Sequence, residues 1–282
     1  MNYQHVYHAG NFADVAKHVA LVHCLDALKR KDSAFFVLDT HSGRGLYDLR
    51  SPQALKSGEA ELGIHKLIAQ GLGDETLAAY FAAIGARAGS RLGRYPGSTA
   101  LIAAALRPQD RALFVEAMPA EARAAERLIH GEGRMRFEAG DGYAALKAHL
   151  PPIERRGFVL IDPPYENVDE WRTMLRAFAD AHGRWPGATY MIWYPILGAA
   201  QRRSVHKRLQ ALAIPKMLCA DLAIHDDEVE IGLAGSGLVI VNPPFGADAY
   251  LLAAYEAIHR RLAPAARGYV EVARLTPERM AQ

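Results

Sequence analysis

Seven short strand-like segments, most of them apolar, recur along this 282-residue chain, separated mostly by stretches with helical spacing, and that alternation limits the fold more than any other feature. The runs are 34–39, 112–116, 135–138, 157–161, 188–193, 216–222 and 237–241. Between them, 118–130, 169–182, 199–211 and 247–262 carry apolar residues at helical intervals. Strand and helix in regular alternation predict an α/β fold built on a mainly parallel, seven-stranded sheet. A further helix opens the chain, with Asn11 placed to cap it and Val15, Val19 and Val22 on one face. One interval is out of step. Roughly 70 residues separate the first two strands, where a crossover needs only a few tens. The surplus has helical spacing over 55–69 and 75–86. The expected organisation is therefore one domain made from 1–48 and 95–282, with residues 49–94 as a small helical insertion.

Composition sets the outer limits. With 50% hydrophobic and 23% charged residues, the chain can build one large core, or one core plus an insertion. No apolar run approaches the roughly 18 residues of a membrane span, and residues 1–18 are polar and histidine-bearing, unlike a signal peptide. A cytoplasmic protein without a membrane partner is expected. Cys24 and Cys219 lie in apolar stretches without CxxC spacing, which predicts buried reduced thiols. A net charge of +2 neither requires nor excludes nucleic acid.

Chemistry enters with Asp162-Pro163-Pro164-Tyr165, set directly after the run 157–161. Enzymes that methylate an exocyclic or amide nitrogen place such a turn at a strand end. The lone pair of adenine N6 is delocalised into the ring until acceptors on its two N–H groups draw it toward a tetrahedral geometry. An acid supplies one acceptor and a backbone carbonyl beside the first proline the other. The prolines hold both rigidly, because φ is fixed and neither ring carries an N–H. The aromatic residue then stacks on a base rotated out of its helix. A second turn of the same kind, Asn242-Pro243-Pro244-Phe245, follows the run 237–241, and position must decide between them.

Position favours the first. The loop Asp39-Thr40-His41-Ser42-Gly43-Arg44-Gly45 follows the first strand, and Gly43 and Gly45 permit a sharp turn and close approach of a ligand. Glu116 ends the next strand, where an acid can accept from ribose hydroxyls. Asp141-Gly142 follows the third, suited to an adenine edge, and Asp162 follows the fourth. Ligands bind at this carboxyl-end rim in open α/β sheets. Asn242 follows the seventh strand, away from that half of the sheet. His5, His8, His18 and His41 show no metal-ligand spacing such as H-E-x-x-H, so no metal is expected. Asp14 and His18, four apart on the first helix, could share a structural hydrogen bond; alternatively Lys17 and His18 face the carboxylate end of a cofactor.

The N-terminal run from Tyr3 to His18 closely resembles the start of the bacterial 23S ribosomal RNA adenine-N6 methyltransferases known as the large subunit methyltransferase J family. So do Leu38-Asp39-Thr40-His41-Ser42-Gly43-Arg44-Gly45, Tyr95-Pro96-Gly97-Ser98, Leu160-Ile161-Asp162-Pro163-Pro164-Tyr165 and Trp193-Tyr194-Pro195. The resemblance implies a Rossmann-like class I fold that uses S-adenosyl-L-methionine and acts on an adenine of 23S ribosomal RNA; no obligate protein partner is evident from the sequence. Carried onto matching positions, it implies cofactor contacts at His18, His41, Ser98, Glu116, Asp141 and Gly142, with Lys17, Gly43 and Gly45 as secondary candidates. Asp162 becomes the catalytic acceptor. Tyr3, Pro163, Pro164 and Tyr165 become substrate contacts. Candidate RNA contacts are Arg202, Arg203, Lys207 and Arg208, and in the insertion Arg87, Arg91 and Arg94. A DNA adenine-N6 methyltransferase, a protein-amide methyltransferase and a nonenzymatic nucleotide-binding module are the competing readings.

Overall fold

The computed structural model describes residues 4–131, 133–167, 169–226 and 232–279. Its elements run α1 (Phe12–Lys29), β1 (Phe36–Asp39), β2 (Leu46–Asp48), α2 (Pro52–Ser57), α3 (Lys66–Ala69), α4 (Ala78–Ala83), β3 (Arg94–Pro96) and α5 (Ser98–Ala105). The alternation continues with β4 (Arg111–Glu116), α6 (Pro119–Ile129), β5 (Met135–Ala139), α7 (Gly142–His149), β6 (Gly157–Ile161) and α8 (Glu170–Arg184). It closes with β7 (Thr189–Ile196), α9 (Ala199–Gln210), β8 (Met217–Ala223), β9 (Gly235–Val241), α10 (Ala247–Leu262) and β10 (Tyr269–Arg274).

The sheet order is β10-β8-β9-β7-β6-β1-β4-β5. Strands β5, β4, β1, β6 and β7 are parallel, β9 runs antiparallel between β7 and β8, and β10 pairs antiparallel with β8. This is the expected α/β, Rossmann-like sheet with one correction: among the described residues it has eight strands where the sequence predicts seven. All seven predicted runs are strands. The eighth, β10, is a half-exposed edge strand of alternating apolar and polar residues, as β5 is at the opposite edge, so no continuous apolar run marks it. Strands β2 and β3 form a separate antiparallel pair.

Alternation within each strand explains the apolar runs. In β6, Phe158 and Leu160 face a core beneath α1, α5 and α10, whereas Val159 and Ile161 face a second core beneath α7, α8 and α9. Both faces are covered, so both sets of side chains are apolar. Helix α1 departs from the single apolar face expected of it. Every residue from Ala13 to Val22 is buried, because the sheet, α4, α5 and α10 surround it. Asn11 caps it as predicted, accepting from Asp14 N.

Between β2 and β3 the predicted helix over 55–69 is broken. Gly58 ends α2 in the left-handed conformation at φ 67°. At Gly63 the backbone leaves helical geometry, with φ −98° and ψ −107°, in one widened, kinked turn, Glu61–His65, before α3 begins, and a Cβ there would lie 2.2 Å from Gly10 O. Over 75–86 a short tight turn, Glu75–Leu77, precedes α4. Cys24 and Cys219 are buried free thiols. No helix among the described residues is long and apolar enough to cross a membrane.

Direction matters at the second Pro-Pro turn. Because β9 is antiparallel, Val241 pairs with Tyr190 at the start of β7, and Asn242 lies on the opposite rim from Asp162. There the Asn242 amide donates to Pro186 O and Ala188 O, tying down a loop.

Candidate active site

Strands β1, β4, β5 and β6 end on one rim, and their loops interlock. Thr40 Oγ1 donates to Leu160 O at 2.9 Å, joining the β1 and β6 ends. Ser42 N donates to Val115 O, and Gly43 N to Glu116 Oε2, at 2.9 Å each. The other Glu116 oxygen accepts from Met118 N at 2.7 Å. Gly43 and Gly45 sit at φ 58° and 81°, conformations that glycine reaches without steric cost. Asp141 caps α7 by accepting from Tyr143 N, and next to it a Cβ on Gly142 would lie 2.1 Å from Thr40 O. Only glycine lets α7 begin this close to the β1 loop. Ser98 is the buried first residue of α5, and Gly97 N donates to Gly45 O.

A chain of charged groups enters the same rim from α1. Lys17, only 6% exposed, donates to Asp162 Oδ2 at 2.6 Å and pairs with Asp14 Oδ1 at 2.9 Å. Asp14 Oδ2 meets His5 Nε2 at 2.9 Å and accepts from Gly10 N at 3.0 Å. Burial works against the charge on Lys17, yet the two carboxylates outweigh it and hold the ammonium pKa well above its ordinary value. Burial would likewise raise Asp14, but His5 and Lys17 hold it well below. The Asp14–His18 hydrogen bond considered from the spacing is therefore not formed. His18 Nδ1 instead meets Tyr95 OH at 2.9 Å, and Tyr95 OH meets Tyr80 OH at 3.0 Å.

Burial pushes His18 down to about 3 and His41 down to about 4, so both imidazoles are neutral near pH 7. His41 Nδ1 lies 2.8 Å from Thr40 Oγ1, and its ring meets the edge of Tyr143. Asp39, fully buried at the end of β1, is pushed up to about 7 by burial, with Ser98 opposing the shift. Glu116 is raised by burial as well. Three buried polar atoms around this rim, His18 Nε2, Asp39 Oδ2 and Ser42 Oγ, have no hydrogen-bond partner among the described residues. A buried unpaired group costs about 1 to 3 kcal/mol. Neutral imidazole, hydroxyl and carboxylate groups gathered beside a glycine loop suit a polar nucleoside cofactor that would satisfy them.

The Pro-Pro turn ends in an unusual backbone. Tyr165 has φ 51°, a conformation disfavoured for a bulky residue, and surrounding contacts hold it there. Its hydroxyl donates to Trp193 O at 2.7 Å, and its ring stacks on Trp171 with centroids 4.3 Å apart. Burial keeps that hydroxyl protonated by raising its pKa well above the ordinary value.

The sequence reading missed several of these groups. Trp171 carried a signal, an aromatic residue in the first turn of the helix after the Pro-Pro turn. The Asp14–Lys17 spacing of three was also legible. Tyr80 and Tyr95 were not, because only the fold brings them to His18. Arg202 needs correction as an RNA contact: it turns inward, to Asp221 Oδ2 and Glu271 Oε2 at 2.5 Å each. Arg91 pairs with Glu61. His206, Cys219 and Asp221 bring possible metal-ligand atoms within 4.8 Å of one another, but the Arg202 guanidinium already provides the positive charge beside Asp221. Tyr3 lies outside the described residues.

A family model described as ribosomal RNA large subunit methyltransferase D, RlmJ, matches residues 32–276. Over 280 residues, covering 99% of this chain and 100% of the relative, the sequence is 38% identical to ribosomal RNA large subunit methyltransferase J of Haemophilus influenzae. It is 35% identical to the protein of the same name from Escherichia coli, with the same coverage. Among solved structures, the crystal structure of a Legionella pneumophila protein aligns with a TM-score of 0.87 at 30% identity, covering 95% of this chain and 98% of that one.

Proposed function

The chain belongs to the ribosomal RNA large subunit methyltransferase J family, and from that premise we propose that it methylates N6 of one adenine in 23S ribosomal RNA, in the cytoplasm, using S-adenosyl-L-methionine. The observation that carries the site assignment is the meeting at one rim of the Asp162 turn, the glycine loop, Glu116 and Asp141, while the second Pro-Pro turn lies on the other rim. In this reading residues 49–94 are an insertion within the methyltransferase domain formed by 1–48 and 95–282.

When bound, S-adenosyl-L-methionine supplies an electrophilic methyl group. Glu116 keeps free lone pairs for ribose hydroxyls, and Asp141 with the Gly142 backbone addresses the adenine. His18, His41 and Ser98 complete the cofactor site, with Lys17, Gly43 and Gly45 in support. Asp162 accepts a hydrogen bond from N6 of the flipped target base, and the carbonyl beside Pro163 accepts the second. Lys17 holds the Asp162 carboxylate in place from below. Pro164 stiffens the turn, and Tyr165, braced by Trp171 and Trp193, presents its aromatic surface to the target. Asp162 polarises N6 without deprotonating the neutral amine, whose proton is too weakly acidic; proton loss accompanies or follows methyl transfer. Flipping costs a few kcal/mol and is cheapest in a loop or single strand. Tyr3 remains a proposed substrate contact.

Labelled S-adenosyl-L-methionine offered with 23S ribosomal RNA, DNA or ribosomal protein tests the assignment. Label is expected in the RNA, at adenine N6. The Asp162→Asn variant should bind cofactor yet lose about one to two decades of rate, the equivalent of a charge-assisted hydrogen bond of roughly 1.5 to 3 kcal/mol. Asn242→Ala should retain activity. Label in DNA or protein instead would refute the substrate, and an inactive Asn242→Ala beside a fully active Asp162→Asn would refute the choice of turn.

A further inference from the structure

Most arginines near the ends of the sheet are already occupied. On the rim away from the candidate site, Arg107 pairs with Asp110 at 2.8 Å, Arg111 with Glu154 at 2.6 Å, and Arg156 donates to Ser33 O at 2.9 Å. These cations hold loops together. A different arrangement lies between α7 and α8, where a groove is lined by Tyr143, Lys147, Arg172, Arg176, Asp180 and Arg184. Lys147 and Arg176 are exposed and have no ion-pair or side-chain hydrogen-bond partner among the described residues. Among the described residues Arg172 pairs only with Asp169, and both are largely exposed, so the pair is weak. Arg184 forms the floor, donating to Leu146 O and Lys147 O at 3.0 and 2.8 Å and locking the two helices together.

The groove begins at the candidate site. Tyr143 follows Gly142, its ring meets His41, and its hydroxyl donates to Glu170. A shallower depression lined by Tyr143, Asn167, Asp169, Glu170 and Thr173 continues it to the segment after the Pro-Pro turn. Arg172 and Arg176 are four residues apart on α8, about 6 Å along the helix, so their side chains form a row. Three acids share the area: Asp180 toward the far end, Glu170 engaged by Tyr143 and Asp169 by Arg172. The unpaired positive charge is therefore concentrated in the middle of the groove. Arg203, Lys207 and Arg208 are exposed too, but they lie on α9, which makes no hydrogen bond to the glycine loop or the Pro-Pro turn among the described residues.

We propose that the α7–α8 groove carries the sugar-phosphate backbone of the RNA strand leading away from the flipped adenine, with Lys147 and Arg176 contacting phosphates and Arg172 joining them by leaving Asp169. The assignment rests on the 23S ribosomal RNA reading and adds the path of the strand to it. Contacts of this kind raise affinity without reading sequence and release counterions. Both principal side chains are exposed, so their removal leaves the core intact.

The test uses the 282-residue protein with 23S ribosomal RNA. A Lys147→Ala/Arg176→Ala double variant should raise KM for RNA several-fold, with kcat, S-adenosylhomocysteine affinity and melting temperature unchanged. The slope of log binding constant against log salt should become shallower by about 1.4, from roughly 0.7 for each lost single-strand phosphate contact. Arg203→Ala/Lys207→Ala is measured in parallel. Unchanged KM and slope in the groove variant, or a loss confined to the α9 variant, would overturn the groove assignment. If wild type labels no RNA, the substrate reading itself fails and the groove assignment falls with it.

Discussion

Glu116 combines a structural role with the ligand-binding one proposed for it. Its two oxygens accept from Gly43 N and Met118 N, so it fastens the glycine loop to the end of β4 while retaining lone pairs for a ligand. Glu116→Ala should weaken S-adenosylhomocysteine binding by about 1 to 3 kcal/mol, roughly five- to 150-fold in Kd, because the ribose hydroxyls lose their acceptor. Glu116→Gln keeps one acceptor oxygen and should fall between wild type and alanine. Calorimetry on folded variants checks both, and an unchanged Kd for Glu116→Ala would remove Glu116 from the cofactor site. At this scale the sequence was informative about positions at strand ends: Glu116 closes one predicted strand, and Asp141 and Asp162 come just after two others, which places all three on one rim. It was silent on the His5–Asp14–Lys17–Asp162 chain as a whole, since Lys17 and Asp162 are 145 positions apart and meet only through packing.

Helix α1 is the element on which the candidate site depends most. It carries Asp14, Lys17 and His18 inward from a position buried on every side, so displacing it would move all three together. Asn11 fixes its start by accepting from Asp14 N at 2.9 Å and donating to Glu59 Oε2 at 2.9 Å, which ties the helix to the segment between β2 and β3. Asn11→Ala should cost about 0.5 to 2 kcal/mol of stability, the usual range for a lost cap, measured as a lower urea midpoint. Asn11→Asp retains the cap but sets a carboxylate against Glu59, and should recover only part of the loss. An Asn11→Ala midpoint equal to wild type would show that neighbouring packing alone places the helix. The cap was legible because capping is local chemistry. Burial of every residue from Ala13 to Val22 was not, because Ala, Val and Leu at helical spacing look the same whether one side or every side is covered.

For the whole molecule, buried titrating groups of opposite kinds set the response to pH. His18 titrates at about 3 in the fold against an ordinary 6.5, so the unfolded chain takes up its proton first. The stability it contributes is complete above 6.5 and lost as pH falls toward 3. Asp39 does the reverse: the fold keeps its proton up to about 7, against an ordinary 3.8, so its contribution is complete below 3.8 and lost as pH rises through 7. Asp39→Asn removes that second dependence. Its stability relative to wild type, followed by urea midpoints on ligand-free protein, should rise between pH 4 and 7 by at most about 1.4 kcal/mol per unit, then level off. A difference that is flat with pH would mean that Asp39 titrates normally. The sequence by itself determined the α/β class, seven of the eight strands of the main sheet, and the order in which loop, acid and Pro-Pro turn follow them, because strand burial and turn chemistry are written in short local patterns. Only the tertiary structure decided the direction of β9, which puts Asn242 on the far rim, the inward turn of Arg202 to Asp221, and the convergence of Lys17 and Asp162. Those depend on which strand lies beside which and on charges brought together across the chain, and neither leaves a mark on the spacing of neighbouring residues.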